Sequence, residues 1–357
     1  MVKALDGVPG NGWSVGVKAG RHVILAVVTM VLNLNAAYAQ APQLRVLTHS
    51  SFDLPKPLLD AFEQSAGVKL TLIKAGDAGE MVNKLILTRA QPIADVVYGI
   101  DNALAGKAIA MEVLTSYAGP SARSPSVVSL PAPLVPINFG YVALNVDKDW
   151  FAKHKVPLPS SVQELVTPAY KNLLVVPHPA TSSPGMAFLA STMGAMGESG
   201  ALEWWAKLRA NGVKVTKGWS EAYYTHFSRN GGSRPMVVSY VSSPAAEMFY
   251  AKTKLTEAPI MSLELDGLVF QQVEGVALIK GGKQIEAAGQ FIEFLRGMPV
   301  QQALQSTMWM YPAVPGAPLD SVLRHAVPPK RHQTPAPDAM TVRGPTWVAQ
   351  WTQTVLR

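Results

Sequence analysis

Between residues 44 and 100 one pattern repeats three times: a short apolar or alternating run, a polar turn, then apolar positions at helical spacing. Leu44-Arg45-Val46-Leu47-Thr48 predicts a strand, with His49-Ser50-Ser51-Phe52 as the loop at its carboxyl end. A helix is predicted over 57–64, closed by Gly67, then a second strand over 68–73 that ends in Gly76-Asp77-Ala78-Gly79. Asp77 followed by Glu80 has the character of a capping box for a helix over 81–89. A third strand follows over 94–100, and Asp101-Asn102 begin the next helix. Strand, polar turn and helix in this rhythm make a parallel sheet wrapped by helices.

From 116 to 136 the pattern breaks into Ser, Pro and Val, which predicts loop leading to a strand over 139–145 that crosses between domains. A second α/β unit follows, with a helix over 161–165, a strand over 172–176, a turn over 178–185, a helix to 196 and another over 201–210. Alternation at Val213-Lys214-Val215-Thr216 and the apolar Met236-Val237-Val238 add strands, and 245–250 has helical spacing. Strands over 267–279 return the chain to the first domain, where helices over 284–295 and 300–305, the loop Met308-Trp309-Met310-Tyr311-Pro312 and a terminal helix carrying Trp347 and Trp351 complete it. With 357 residues, 48% hydrophobic and 15% charged, the chain has material for a large core and two domains.

Two clusters sit where strands end, the edge at which open α/β sheets bind ligands. One is Lys217-Gly218-Trp219-Ser220-Glu221-Ala222-Tyr223, the other Ser239-Tyr240-Val241-Ser242-Ser243-Pro244. Aromatic faces beside hydroxyls and helix starts suit a flat, partly cationic ligand with an anionic end. Ser182-Ser183-Pro184-Gly185 and Ser242-Ser243-Pro244 each place hydroxyls ahead of a proline suited to a first helical turn, either as caps or as an anion site. Trp219, Tyr223, Tyr240 and Trp309 read either as core aromatics or as a ligand wall, and Asp77 and Asp101 either as caps or as ligand-facing carboxylates.

At the N-terminus, Lys18 and Arg21 precede an apolar run over 23–34 and then Ala37-Tyr38-Ala39, the order of a secretory signal peptide cut after Ala39. The competing reading is a membrane anchor, for which twelve apolar residues fall short of the ~20 a spanning helix needs. Cysteine is absent, which excludes disulfides, thiolate metal sites, cysteine nucleophiles and a lipidated N-terminal cysteine. The net charge of +7 is scattered apart from Lys330-Arg331-His332, and no basic face interleaved with aromatics suggests nucleic acid. The seven histidines form no HExxH motif, there is no P-loop, and Gly218-Trp219-Ser220-Glu221-Ala222 lacks the second glycine of a nucleophile elbow. No catalytic apparatus, metal site or cofactor is expected.

Thr216-Lys217-Gly218-Trp219-Ser220-Glu221-Ala222-Tyr223, Ser239 to Pro244, Ala94 to Asn102, Thr181 to Gly185 and Trp309-Met310-Tyr311-Pro312 together resemble the periplasmic thiamine-binding proteins of bacterial ABC transporters. The likeness runs from about Leu44 to Pro312, and the motifs are specific as a set. It implies a type II periplasmic-binding-protein fold, two α/β lobes joined by two crossing strands around a ligand cleft. Residues 40–142 and 268–357 would form one lobe and 143–267 the other. The resemblance further implies thiamine, thiamine monophosphate or thiamine diphosphate as ligand, a periplasmic monomer, and delivery to an inner-membrane permease. Carried over by position, Asp77 and Ala78 would meet the ligand from the first lobe, Ser182 and Ser183 would bind its phosphate or hydroxyethyl end, Tyr240, Ser242 and Ser243 would line the second lobe with Trp219, and Trp309 would come from the returning segment. His49-Ser50 departs from a Tyr-Asp pattern, Ala246 from a tyrosine and Asn138-Phe139 from Asp-Tyr, which bears on the choice among the thiamine phosphates. Two other functions fit the same fold: capture of ferric ion, a polyamine or another small solute, and a secreted enzyme acting on a thiamine phosphate through Ser220 with Glu221 or His226.

Overall fold

A computed structural model describes residues 41–357 apart from 266 and 267. The expected signal peptide lies outside the described residues. The first α/β run contains β1 (Gln43–Thr48), α1 (Lys56–Ala66), β2 (Lys69–Lys74), α2 (Ala78–Leu87), β3 (Val96–Asp101), α3 (Ala105–Ala110) and the short β4 (Leu114–Thr115). Each helix start has a local cause. Pro55 precedes α1 with φ already preset, Gly67 closes it in the left-handed region, and Asp77 caps α2 by accepting from the Ala78 N–H at 2.7 Å.

A long strand, β5 (Val135–Asp147), then leads through α4 (Lys148–His154) into β6 (Leu174–Pro177), α5 (Ser183–Ala210), β7 (Lys214–Thr216), β8 (Met236–Tyr240), α6 (Ser243–Phe249) and β9 (Ile260–Leu263). The return is by β10 (Phe270–Ile279), followed by α7 (Ile285–Arg296), α8 (Met298–Thr307), β11 (Tyr311–Pro312) and α9 (Pro337–Leu356). The predicted pair of helices over 183–210 appears as one element broken at Gly197, whose φ of 70° takes it out of the helix. The predicted helix over 161–165 is only a single 3₁₀ turn over Glu164–Val166. Four elements lacked a sequence signal strong enough to predict them: α4, which Asp147 caps, β9, and the two-residue strands β4 and β11, the latter lying in the segment read as a loop.

The strands follow the order β2-β1-β3-β10-β5-β8-β6-β7. β1 pairs in parallel with β2 and β3, β6 in parallel with β7 and β8, and the two parallel groups meet through antiparallel β10 and β5. β5 is what joins them: its first half pairs with β10 and β11, and its second half with β8 and β9. The expected strand crossing is therefore longer than the seven residues read from the sequence. β1, β3, β6 and β8 are buried along nearly their whole length, as parallel strands covered on both faces must be. At the C-terminus α9 packs on both α3 and α5, with Trp351 fully buried edge-on against Trp205 at 5.5 Å.

Candidate functional site

A cavity of about 730 Å³ opens at the carboxyl ends of β1, β2, β7 and β8, within the size usual for small-molecule sites. Of the residues singled out from the sequence, Asp77, Ser183, Trp219, Tyr240, Ser242, Ser243 and Trp309 line it. Ala78 and Ser182 stand just behind the wall. Ala78 is buried in the first turn of α2 with its N–H given to Asp77, and Ser182 is wholly buried, its hydroxyl capping the Gly185 N–H at 3.4 Å. Ser242 makes no capping bond. Its neighbour Ser243 accepts from the Tyr240 N–H at 3.3 Å and shares a 2.9 Å hydrogen bond with Ser239.

The aromatic wall is held at its edges. Trp219 donates its indole N–H to Ser239 Oγ at 2.8 Å and stacks on Tyr223 with ring centroids 5.2 Å apart. Tyr240 meets Trp219 edge-on at 6.1 Å and donates its hydroxyl to Gln272 Oε1 at 3.2 Å. At the mouth, Trp309 sits in the left-handed region at φ 59° and packs edge-on against Phe249 and Tyr250. A non-glycine residue held there is a local strain that surrounding contacts must support. Here the contacts come from the opposite wall, since Phe249 and Tyr250 end α6 whereas Trp309 follows α8.

Asp77 ties the two sides of the cavity together. Its Oδ1 caps α2 while its Oδ2 accepts the backbone N–H of Trp219 at 3.0 Å. Around it, the Glu80 N–H donates to the Thr181 carbonyl at 3.1 Å, and Lys217 pairs with Glu80 at 2.6 Å. The approach is so close that a Cβ on Gly79 would stand 2.5 Å from the Thr181 backbone carbon. The Lys217–Glu80 pair is on the surface and screened by salt, so the backbone and Asp77 contacts dominate this junction.

Sequence reasoning did not assemble the floor of the cavity. Glu274, the one acid in strand β10, is 5% exposed and accepts from the Tyr98 hydroxyl at 2.9 Å and from Gln272 Nε2 at 3.4 Å. His49, noted in the sequence only as a departure from a pattern, is 6% exposed, with Nε2 3.4 Å from Glu274 Oε1. Burial opposes charge on the His49 ring, but the Glu274 carboxylate outweighs it and raises the pKa above its ordinary value. Burial likewise opposes charge on Glu274, and the His49 charge and the hydrogen bonds it receives overcome that and lower its pKa. Asp101 lies opposite Glu274 in the β3–β10 register. Burial and the adjacent Glu274 charge push its pKa up to about 8, while its Oδ1 accepts from the Leu104 N–H at 2.9 Å. The expectation that Asp101 caps the next turn thus holds, with the acid neutral below that pH.

Further round the wall, Tyr223 donates to Glu247 at 2.8 Å, and Arg229 pairs with Glu247 at 3.4 Å. Lys252, Tyr224 and Tyr250 complete that side. Ser220, the candidate nucleophile of the enzyme alternative, is exposed and outside the cavity, and His226 stands 3.6 Å from Glu221. Among the described residues no cluster of three or more histidines and carboxylates is placed to hold a metal ion.

A two-sided cavity at strand ends, spanned by two crossing strands, is the architecture of a periplasmic binding protein. A family model for the bacterial extracellular solute-binding proteins matches residues 91–335, and the chain belongs to that family. Among its relatives are the thiamine-binding periplasmic proteins of Salmonella typhimurium strain LT2, 32% identical over 92% of this chain and 98% of theirs, and of Escherichia coli K12, 30% identical over the same shares. A solved periplasmic thiamin binding protein superposes with a TM-score of 0.79 at 27% identity, covering 89% of this chain and 97% of its own.

Proposed function

We propose that the protein is the periplasmic substrate-binding component of an ABC transporter that captures thiamine or a thiamine phosphate between two lobes and delivers it to an inner-membrane permease. The observation that carries this is the meeting of Asp77 and Trp219 at the cavity, where the carboxylate accepts the Trp219 backbone N–H at 3.0 Å while the indole, held by Ser239, lines the same space. Thiamine joins a permanently cationic thiazolium to an aminopyrimidine. An aromatic face contributes about 1–2 kcal/mol to a desolvated cation, and a carboxylate accepts from an exocyclic amine in a charge-assisted hydrogen bond. Relatives named for thiamine binding, at 29–32% identity over most of the chain, support the same ligand. On this reading 40–142 with 268–357 and 143–267 are the two lobes, the hinge lies in β5 and β10, and ligand contacts made to both lobes at once favour the closed form. The protein acts as a monomer without a cofactor and catalyses no reaction, following cleavage of its signal peptide.

Trp219→Ala is expected to weaken thiamine binding about tenfold or more, equivalent to ~1.4 kcal/mol, and Trp219→Phe to recover part of the loss. Fluorescence or calorimetric titration of the two variants checks this. The ligand itself is tested by dialysing the ligand-stripped protein against an equimolar mixture of thiamine, spermidine and ferric citrate. Selective retention of thiamine supports the proposal, and retention of the polyamine or iron instead overturns it.

A further inference from the structure

The cavity floor contains one cation among carboxylates. His49 is fixed there by its surroundings: its ring lies 5.7 Å from Tyr98, and a Cβ on Gly99 would come within 2.2 Å of its Cδ2, so the imidazole sits directly over a residue with no side chain. Its Nε2 is buried, lines the cavity and makes no hydrogen bond of acceptable geometry, standing 3.4 Å from Glu274 Oε1 as an ion pair. Glu274 is in turn held as an acceptor by Tyr98 and Gln272, and the Asn138 amide donates to the Tyr98 hydroxyl behind them. Buried polar networks of this kind fix positions closely, because every alternative leaves a desolvated group unpaired.

Resting on the reading that the ligand is cationic, we infer that His49 is the exchangeable cation of the site: the ligand's positive charge replaces the imidazolium as the counter-charge of the floor, so that capture releases a proton. The groups facing His49 are Glu274 from β10, Asp77 from the cap of α2, Asp101 from the end of β3, and the phenol of Tyr98. Burial pushes the hydroxyls of Tyr98 and of Tyr240, which also lines the cavity, far above their ordinary range, so both are neutral. Asp101 stays protonated until about pH 8. The floor in the free protein therefore has a fixed negative charge on Glu274 and one removable positive charge on His49. A cation entering beside that pair repels the imidazolium and lowers its proton affinity, whereas Glu274 gains a second counter-charge. Binding and deprotonation are then linked, and affinity rises with pH between the bound-state and free-state pKa values of His49.

Thiamine is the probe. In wild-type protein its affinity is expected to tighten as pH rises towards the raised pKa of free His49, with a slope of up to roughly tenfold per pH unit. The binding enthalpy at about pH 7 should change between phosphate and Tris buffers in proportion to a released proton. His49→Gln, which keeps a neutral polar group over Gly99, should flatten both dependences. Three results overturn the inference while leaving thiamine capture intact: binding whose affinity and enthalpy ignore pH and buffer, proton uptake in place of release, or linkage of undiminished size in His49→Gln. Absence of thiamine binding at every pH, in protein shown to be folded, overturns this inference together with the functional proposal on which it rests.

Discussion

Asp77→Ala is expected to weaken thiamine binding by roughly a hundredfold, about 2.7 kcal/mol, more than removal of any aromatic wall. Two losses coincide at this position. Asp77 is the acceptor that would take the ligand's amine, and its Oδ2 also accepts from the Trp219 backbone N–H at 3.0 Å. Without it the Trp219 loop loses its link to α2, and the closed arrangement loses a charge-assisted bond of the kind that contributes most in a partly desolvated site. The cap on Ala78 disappears as well, at a cost of about 1 kcal/mol of stability. Asp77→Asn separates these effects, because the amide oxygen can still cap the helix or accept from Trp219. Calorimetric titration of both variants should place Asn between wild type and Ala. Wild-type affinity in Asp77→Ala would remove Asp77 from the site.

Asp101→Asn is expected to stabilise the folded protein at about pH 8, by on the order of 2–4 kcal/mol, while changing little near pH 4. The sign follows from the direction of the shift. In the folded protein burial and the facing Glu274 raise the Asp101 pKa to about 8 from an ordinary value of 3.8, whereas in the unfolded chain the carboxyl ionises freely. The unfolded state therefore loses its proton first, and stability falls as pH rises from the ordinary value to the folded one. Asparagine is close in shape to the protonated acid. It can keep the 2.9 Å bond from the Leu104 N–H and has no charge to release. Thermal unfolding of wild type and variant from pH 4 to pH 8 checks this, and parallel curves across that range would contradict it. His49, raised above its ordinary value, contributes in the same direction, since the stability of its pairing with Glu274 is present at low pH and lost as pH rises through its folded pKa.

These two aspartates show what was legible in the sequence. Asp77 could be found because its setting is local: a strand end, Gly76, and a helix whose third residue is Glu80. Trp219 and Trp309 could be placed at the cavity for the same reason, each following a strand or helix by a short polar turn, and Tyr240 because it closes β8 just before the serines. The order of strands and helices was likewise carried by short-range periodicity, and failed where an element was too short to show a period, as in α4 and β9. The floor of the cavity was not legible. Tyr98 and Glu274 hydrogen-bond across 176 residues of sequence, and Asp101 meets Glu274 only because β10 returns antiparallel beside β3. A buried acid in β10, flanked by Gln272, was the one local hint, and its partners could not be named without the register.

The serine-proline devices divide in the same way. Ser182, in extended conformation, caps α5 as its pattern predicts, but Ser242 already has helical dihedrals and does not cap α6, while the hydroxyl of Ser243 turns back to Tyr240 and Ser239. One motif thus serves two geometries, and the difference is set by what lies beneath each helix start. Of the departures from the thiamine-binding pattern, His49 and Ala246 line the cavity, whereas Ser50, Asn138 and Phe139 do not. A ring that can change charge stands at one of these positions and a methyl group at the other.

The measurement closest to the central claim is isothermal titration of refolded, ligand-stripped protein with thiamine, thiamine monophosphate and thiamine diphosphate. Capture between two lobes predicts one ligand per chain and submicromolar affinity for at least one of the three. No heat with any of them, from protein whose unfolding transition is intact, would contradict it.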